Sequence, residues 1–222
     1  AYRLAEALLA AGRQEGAYER FYQVFEQYTQ TPQAFQAMLA LSNAGQPTNA
    51  YQRGLVSYFN GAYQAALDAF YAQLAALSQE QAPPLLYMYI GLFQLRLEPH
   101  SEASQAFQEV LDRYSDDPLA SQAFLEQGRT LFLAGDPTRA ALRYLELAQV
   151  YPDAPEAPEA MWRAAYLYET LGETERSLAT YDILGRTYPG AGQAWDGLWR
   201  ASLLARTVGD DARAERLLEL LA

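Results

Sequence analysis

The 222-residue sequence has no cysteine, no lysine and a single histidine, His100. Without cysteine there are no disulfides, thiolate nucleophiles or cysteine-based zinc sites, and cysteine usage favours no compartment. Sixteen arginines stand against 27 aspartates plus glutamates, a net charge of -11, which repels a phosphate backbone and argues against nucleic acid as a partner. The longest apolar run, residues 85–93, stops at Gln94 and Arg96. It falls short of the roughly 18–20 residues that a membrane-spanning helix requires. The motifs of zinc proteases, P-loop nucleotide sites, serine-hydrolase elbows and dinucleotide-binding turns are all missing. His100 reads as a solvated residue in a turn between helices. The pairs Asp116–Asp117 and Asp210–Asp211 lie where helices begin, so they read as caps that complement a helix dipole rather than as metal ligands. Glu173 and Glu175 read the same way. No catalytic residue, cofactor or metal is expected.

What the sequence does have is a core and a period. Half of the residues are hydrophobic and 13% are aromatic, far from the profile of a disordered chain. The stretch VYPDAPEAPEAMWRAAYLYETLG is echoed 37 residues later by TYPGAGQAWDGLWRASLLARTVG. Stepping by 37 places turn positions at Gly61, Glu98, Gly135, Gly172 and Gly209. Seven residues before each is a small residue, Gly54, Gly91, Gly128, Ala165 or Ser202. Five after each is another, Ala66, Ala103, Ala140, Ser177 or Ala214, and four further on comes Phe70, Phe107, Tyr144, Tyr181 or Leu218. Ala5, Gly12, Ala17 and Phe21 repeat the offsets once more, 49 residues upstream.

Each unit reads as two antiparallel helices. The turn glycine ends the first, because a left-handed residue is needed there. Small residues let the helix backbones approach, and the large ring fills the space beside them. Glycine inside a helix costs about 1 kcal/mol against alanine, so its recurrence at one register implies a steric requirement. Tyr151-Pro152 and Tyr188-Pro189 end second helices, and Pro155 and Pro158 suit the first turn of the next.

These residues, above all Ala66-Leu67-Asp68-Ala69-Phe70 and Ala103-Ser104-Gln105-Ala106-Phe107, resemble the core of the tetratricopeptide repeat. The resemblance implies an all-α fold, a right-handed α-solenoid of about six antiparallel helix pairs with a 37-residue repeat. We expect one such domain over residues 1–222, with units at about 1–30, 48–80, 84–116, 118–152, 156–189 and 191–222. A short inserted helix is expected at 32–43. Opening at Ala1 inside a helical pattern, the sequence reads as a fragment of a larger protein. More loosely, an irregular first unit followed by YP-ended units is similar to the superhelical module of bacterial soluble lytic murein transglycosylases, and to periplasmic tetratricopeptide proteins. The catalytic Glu-Ser pair and Gly-Leu-Met-Gln stretch of the transglycosylases do not occur here.

In such arrays the first helix of each unit lines the inner surface. Positions eleven before the turn, Tyr87, Phe124, Met161 and Leu198, should face the paired helix. The groove should carry Tyr51, Tyr58, Met88, Leu95, Arg96, Leu125, Arg129, Phe132, Trp162, Tyr166, Glu169, Trp199 and Arg206. Rings with polar edges beside arginine forks suit peptides, or stacking on sugars. The other reading has these residues packing between units. We expect Trp162→Ala and Trp199→Ala to weaken partner binding with little change in unfolding.

The expected function is a non-catalytic scaffold that binds a protein or peptide segment in the concave groove, with a periplasmic or otherwise extracytoplasmic setting implied by the resemblance. The alternative is an accessory module of a peptidoglycan-cleaving enzyme that holds glycan strands. A receptor for chaperone tails is disfavoured, because it needs lysines and asparagines on the inner helices. Here there is no lysine, and asparagine occurs only at 43, 49 and 60. The apolar end with Leu217, Leu218, Leu220 and Leu221 invites self-association if no further residues cover it.

Overall fold

A computed structural model describes residues 1–78, 81–97 and 100–221. Thirteen helices and no strand are present among them. The chain forms two compact bodies, Ala1–Pro99 and His100–Ala222.

The N-terminal body contains α1 (Tyr2–Ala10), α2 (Gln14–Gln27), α3 (Pro32–Asn43), α4 (Ala50–Phe59), α5 (Tyr63–Ala76) and α6 (Pro84–Leu97). In it α2 packs between α1 and α3, and α5 between α4 and α6. The extra residues after the first pair form α3, which starts where the Thr31 hydroxyl accepts the Ala34 N–H. The C-terminal body contains α7 (His100–Arg113), α8 (Leu119–Leu133), α9 (Pro137–Val150), α10 (Ala157–Thr170), α11 (Thr174–Thr187), α12 (Gly192–Thr207) and α13 (Asp211–Glu219). Each of these packs on its chain neighbours, and α10 also packs on α12.

The turn glycines behave as the period requires. Gly12, Gly61, Gly135, Gly172 and Gly209 all have positive φ. At Gly172 (φ 75°) the chain reverses, and the Glu173 N–H returns to the Tyr168 carbonyl at 2.8 Å, closing the end of α10. Glu98, the other turn position, lies outside the described residues.

The small residues have the predicted steric role. A Cβ on Gly54 would stand 2.6 Å from Phe70 Cζ, and one on Gly128 would collide with the Tyr144 ring. Phe21, Phe70, Phe107, Tyr144 and Tyr181 are all buried, whereas Leu218, at the same offset in the last unit, is half-buried and its neighbour Leu217 is buried instead. Tyr87, Phe124, Met161 and Leu198 are core, as expected.

Three local expectations need correction. Pro155 precedes α10 rather than opening it, and only Pro158 lies in the first turn. His100 is the first residue of α7, not a turn residue. Asp210 caps α13 by accepting the Arg213 N–H, and Asp117 accepts the Leu119 N–H, but Glu173 makes no capping bond. Instead its carboxylate pairs with Arg176, in the first turn of α11, at 2.6 Å. Glu175 does lie in the first turn of α11, where it complements the helix dipole as expected, and it also pairs with Arg213 of α13.

The YP junctions carry a further link. Tyr188 donates its hydroxyl to the Pro152 carbonyl at 2.8 Å, and Tyr151 donates to the Ser115 carbonyl at 3.1 Å. Each tyrosine thus ties the end of a second helix to the preceding junction.

Candidate functional site: the first-helix face of the C-terminal body

In the C-terminal body, α8, α10 and α12 are the first helices of successive pairs. The 37-residue step equates Leu125 with Trp162 and Trp199, Arg129 with Tyr166 and Leu203, and Phe132 with Glu169 and Arg206. Side chains of one face thus recur with changed chemistry.

Between α10 and α12 that face is already occupied by the protein itself. Trp162 stacks on Tyr166, with centroids 5.4 Å apart and planes 5° from parallel, and its Nε1–H donates to Asp196 Oδ2 at 2.7 Å. Glu169 accepts two bonds from Arg200, Nε to Oε2 at 2.6 Å and Nη2 to Oε1 at 3.2 Å. The same guanidinium lies 4.7 Å over the Tyr166 ring. Such a forked pair fixes the α10–α12 register geometrically. Beneath it, Trp162 packs on a core cluster that includes Met161, Leu178, Tyr181 and Leu198. A shallow hollow of about 460 Å³, lined by Glu159, Trp162, Gly192, Gln193 and Asp196, opens beside the indole.

This geometry corrects one expectation. Trp162 is half-buried and doubly engaged, so Trp162→Ala should cost about 2–3 kcal/mol of stability in chemical denaturation, mainly from lost packing on the core cluster and on Tyr166. Trp199→Ala should cost less than about 0.5 kcal/mol, because that ring is 46% exposed.

Tyr181 lies against α12, close enough that a Cβ on Gly197 would meet its ring at 2.7 Å. Its hydroxyl is buried without a hydrogen-bond partner among the described residues, and burial pushes its pKa far above that of a free tyrosine, with Glu169 adding to the rise. Tyr181→Phe should therefore raise the stability of the protein by about 1 kcal/mol in the same denaturation experiment, since it removes a desolvated group and keeps the ring.

α12 also offers an uncovered surface. Trp195 is 58% exposed and stacks on Trp199 at 6.5 Å, with planes 11° apart. Leu203 is 46% exposed, and Arg206 is exposed with no ion pair among the described residues. Sequence reasoning missed Trp195, although its i,i+4 spacing from Trp199 marks a shared helix face. On α8, Phe132 is 50% exposed, and Arg129 is exposed and pairs with Glu126 at 3.4 Å. A separate hollow of about 380 Å³ between α7, α8 and α9 holds Gln127 and Arg143, with the Arg143 guanidinium 3.7 Å above the Phe124 ring.

In the N-terminal body the named residues mostly serve one another. Tyr51 packs on Phe70 and Tyr89, and Tyr58 on Phe93 at 4.7 Å. Burial, with Tyr89 beside it, raises the Tyr51 pKa. Met88 is 4% exposed, because Tyr87, Met88 and Ile90 all turn inward on the nearly all-apolar α6, so it offers no surface to a partner. Arg96 is exposed at the end of α6. Among the described residues no cluster of three metal-ligating side chains exists, and no helix is long and apolar enough to cross a membrane.

The repeated helix pairs, turn glycines and ring-on-small-residue contacts define an all-α, tetratricopeptide-repeat-like protein. In agreement, a tetratricopeptide-repeat family model matches residues 91–155 and 125–192. No curated protein sequence matches the chain significantly. Among solved structures the fold is similar to that of Pseudomonas aeruginosa PilF, at 18% identity over 99% of this chain and 88% of that one, with a TM-score of 0.55. It is also similar to MamA, at 14% identity over 75% of this chain and 91% of that one, TM-score 0.55. YrrB, described as a tetratricopeptide-repeat protein with an unusual peptide-binding site, is 15% identical over 82% of this chain and 89% of that one, TM-score 0.52.

Proposed function

We propose that this protein is a non-catalytic scaffold that binds a protein or peptide segment on the first-helix face of its C-terminal body, with Phe132, Arg129, Trp199 and Arg206 as contacts. The observation that carries the reading is the uncovered Trp195–Trp199 stack. Two indoles left in water on one helix face, beside an exposed guanidinium, are the composition of binding hot spots rather than of ordinary surface. The peptide site ascribed to YrrB supports the same use of the fold. The envelope setting rests on the resemblance of the YP-ended units to those of periplasmic tetratricopeptide proteins.

A random-peptide library selected against the protein tests the reading. Selected peptides should bind the wild type and lose about ten-fold in affinity to Trp199→Ala at an unchanged melting temperature, a loss of about 1.4 kcal/mol. Absence of enrichment, or binders indifferent to Trp199→Ala and to Phe132→Ala, would count against it.

A further inference from the structure

We infer that the α12 face formed by Trp199, Leu203 and Arg206 receives an amphipathic partner helix that carries two carboxylates four residues apart, docked in the register that α12 itself adopts on α10. This rests on the scaffold reading and adds the chemistry of the partner. The α10–α12 contact supplies the template. Ten residues before its turn glycine, Trp162 gives its indole N–H to Asp196, and three before that glycine, Glu169 receives Arg200. Asp196 and Arg200 are four apart, so both project from one side of α12.

The same offsets from Gly209 fall on Trp199 and Arg206, with Leu203 in the place of Tyr166. The face is therefore repeated, and its occupant is not found among the described residues. Its Trp199 again offers an indole N–H, which calls for an acceptor where Asp196 stands in the template. Its Arg206 reverses the charge of Glu169, so the occupant's next residue must be acidic where α12 has Arg200. A guanidinium there would meet Arg206 as a like charge. Leu203, 46% exposed, asks only for apolar contact between the two acids. The occupant's opposite side must be small or apolar, since Leu198, Ala201 and Ala205 are the residues with which α12 meets its own neighbours.

These requirements disfavour docking through α1 of a second copy of this chain. Its first helix, α1, has Arg3 nine residues before Gly12, the offset at which Arg200 precedes Gly209. Head-to-tail docking in the same register would set Arg3 against Arg206.

The test uses fluorescein-labelled peptides of residues 192–207, one with the natural Arg200 and one with Arg200→Glu, titrated into the intact protein by fluorescence anisotropy. The Arg200→Glu peptide should bind at least about ten-fold more tightly than its parent, and increasingly so at low salt. R206E protein, whose substitution is exposed and should leave the melting temperature unchanged, should invert that preference. Trp199→Phe, which keeps a ring and removes the N–H, should weaken the acidic peptide several-fold. Equal binding of both peptides, an unchanged preference in R206E, or no binding of either overturns the inference. Library peptides that bind wild-type and R206E protein alike but still depend on Trp199 would leave the scaffold reading standing without Arg206 as a contact, and would remove this one.

Discussion

Phe70→Ala is expected to remove about 3–5 kcal/mol from the stability of the N-terminal body. Phe70 is fully buried. Its ring stacks on Tyr89 and Phe93 at 5.5 and 5.3 Å, meets the edge of Tyr51 at 5.6 Å, and lies directly over Gly54. Truncation would leave a hole bounded by three other rings and by a glycine with no side chain to swing inward, so little of the void can collapse. The loss is read as a shift in the urea midpoint without a change in slope. Phe59→Ala, on the exposed side of α4, should cost under about 1 kcal/mol and serves as the comparison.

Gly128→Val is expected to cost about 3 kcal/mol in the C-terminal body. Valine improves little on glycine as a helix former, so almost nothing offsets the clash. The added atoms would stand inside the Tyr144 ring, which is itself 2% exposed and belongs to a cluster with Ala140, Leu147, Ala164 and Tyr168. Moving the ring means moving the α9–α10 contact. Gly16→Ala is the matched control. Gly16 is also inside a helix, but its nearest neighbour would be Leu8 Cδ1 at 3.7 Å, an ordinary contact. That substitution should stabilise by up to about 1 kcal/mol through helix propensity alone.

The helix pairs were legible because each unit states them in the same register. Gly54 with Phe70 and Gly128 with Tyr144 sit sixteen residues apart, and repetition turned an ambiguous glycine into a packing instruction. The close contacts of Gly185 with Leu198 and of Gly197 with Tyr181 were not legible, since they occur once and off that register. Neither were the tyrosine ties, although the YP recurrence marked their places: the acceptor of Tyr188 is a backbone carbonyl 36 residues away, which no side-chain pattern reveals.

The site was half legible. Trp162 and Trp199 share an offset and the same following arginine, so the sequence gives them one role. In the structure α12 covers Trp162, whereas Trp199, on α12 itself, is 46% exposed. The difference comes from what packs next to each helix and not from the residues themselves. Met88 fails as a contact for a related reason, because offsets from a turn assign a face but cannot say how deeply a nearly all-apolar helix such as α6 is buried.

The most direct measurement of the central claim, that small residues and large rings dictate the helix pairing, is a double-mutant cycle on Gly128→Ala and Tyr144→Ala followed by denaturation. Beside the native ring, Gly128→Ala should destabilise by about 1–3 kcal/mol. With the ring gone it should stabilise by up to about 1 kcal/mol, because only helix propensity remains. A change of sign is the predicted result; the same destabilisation in both backgrounds would contradict the account.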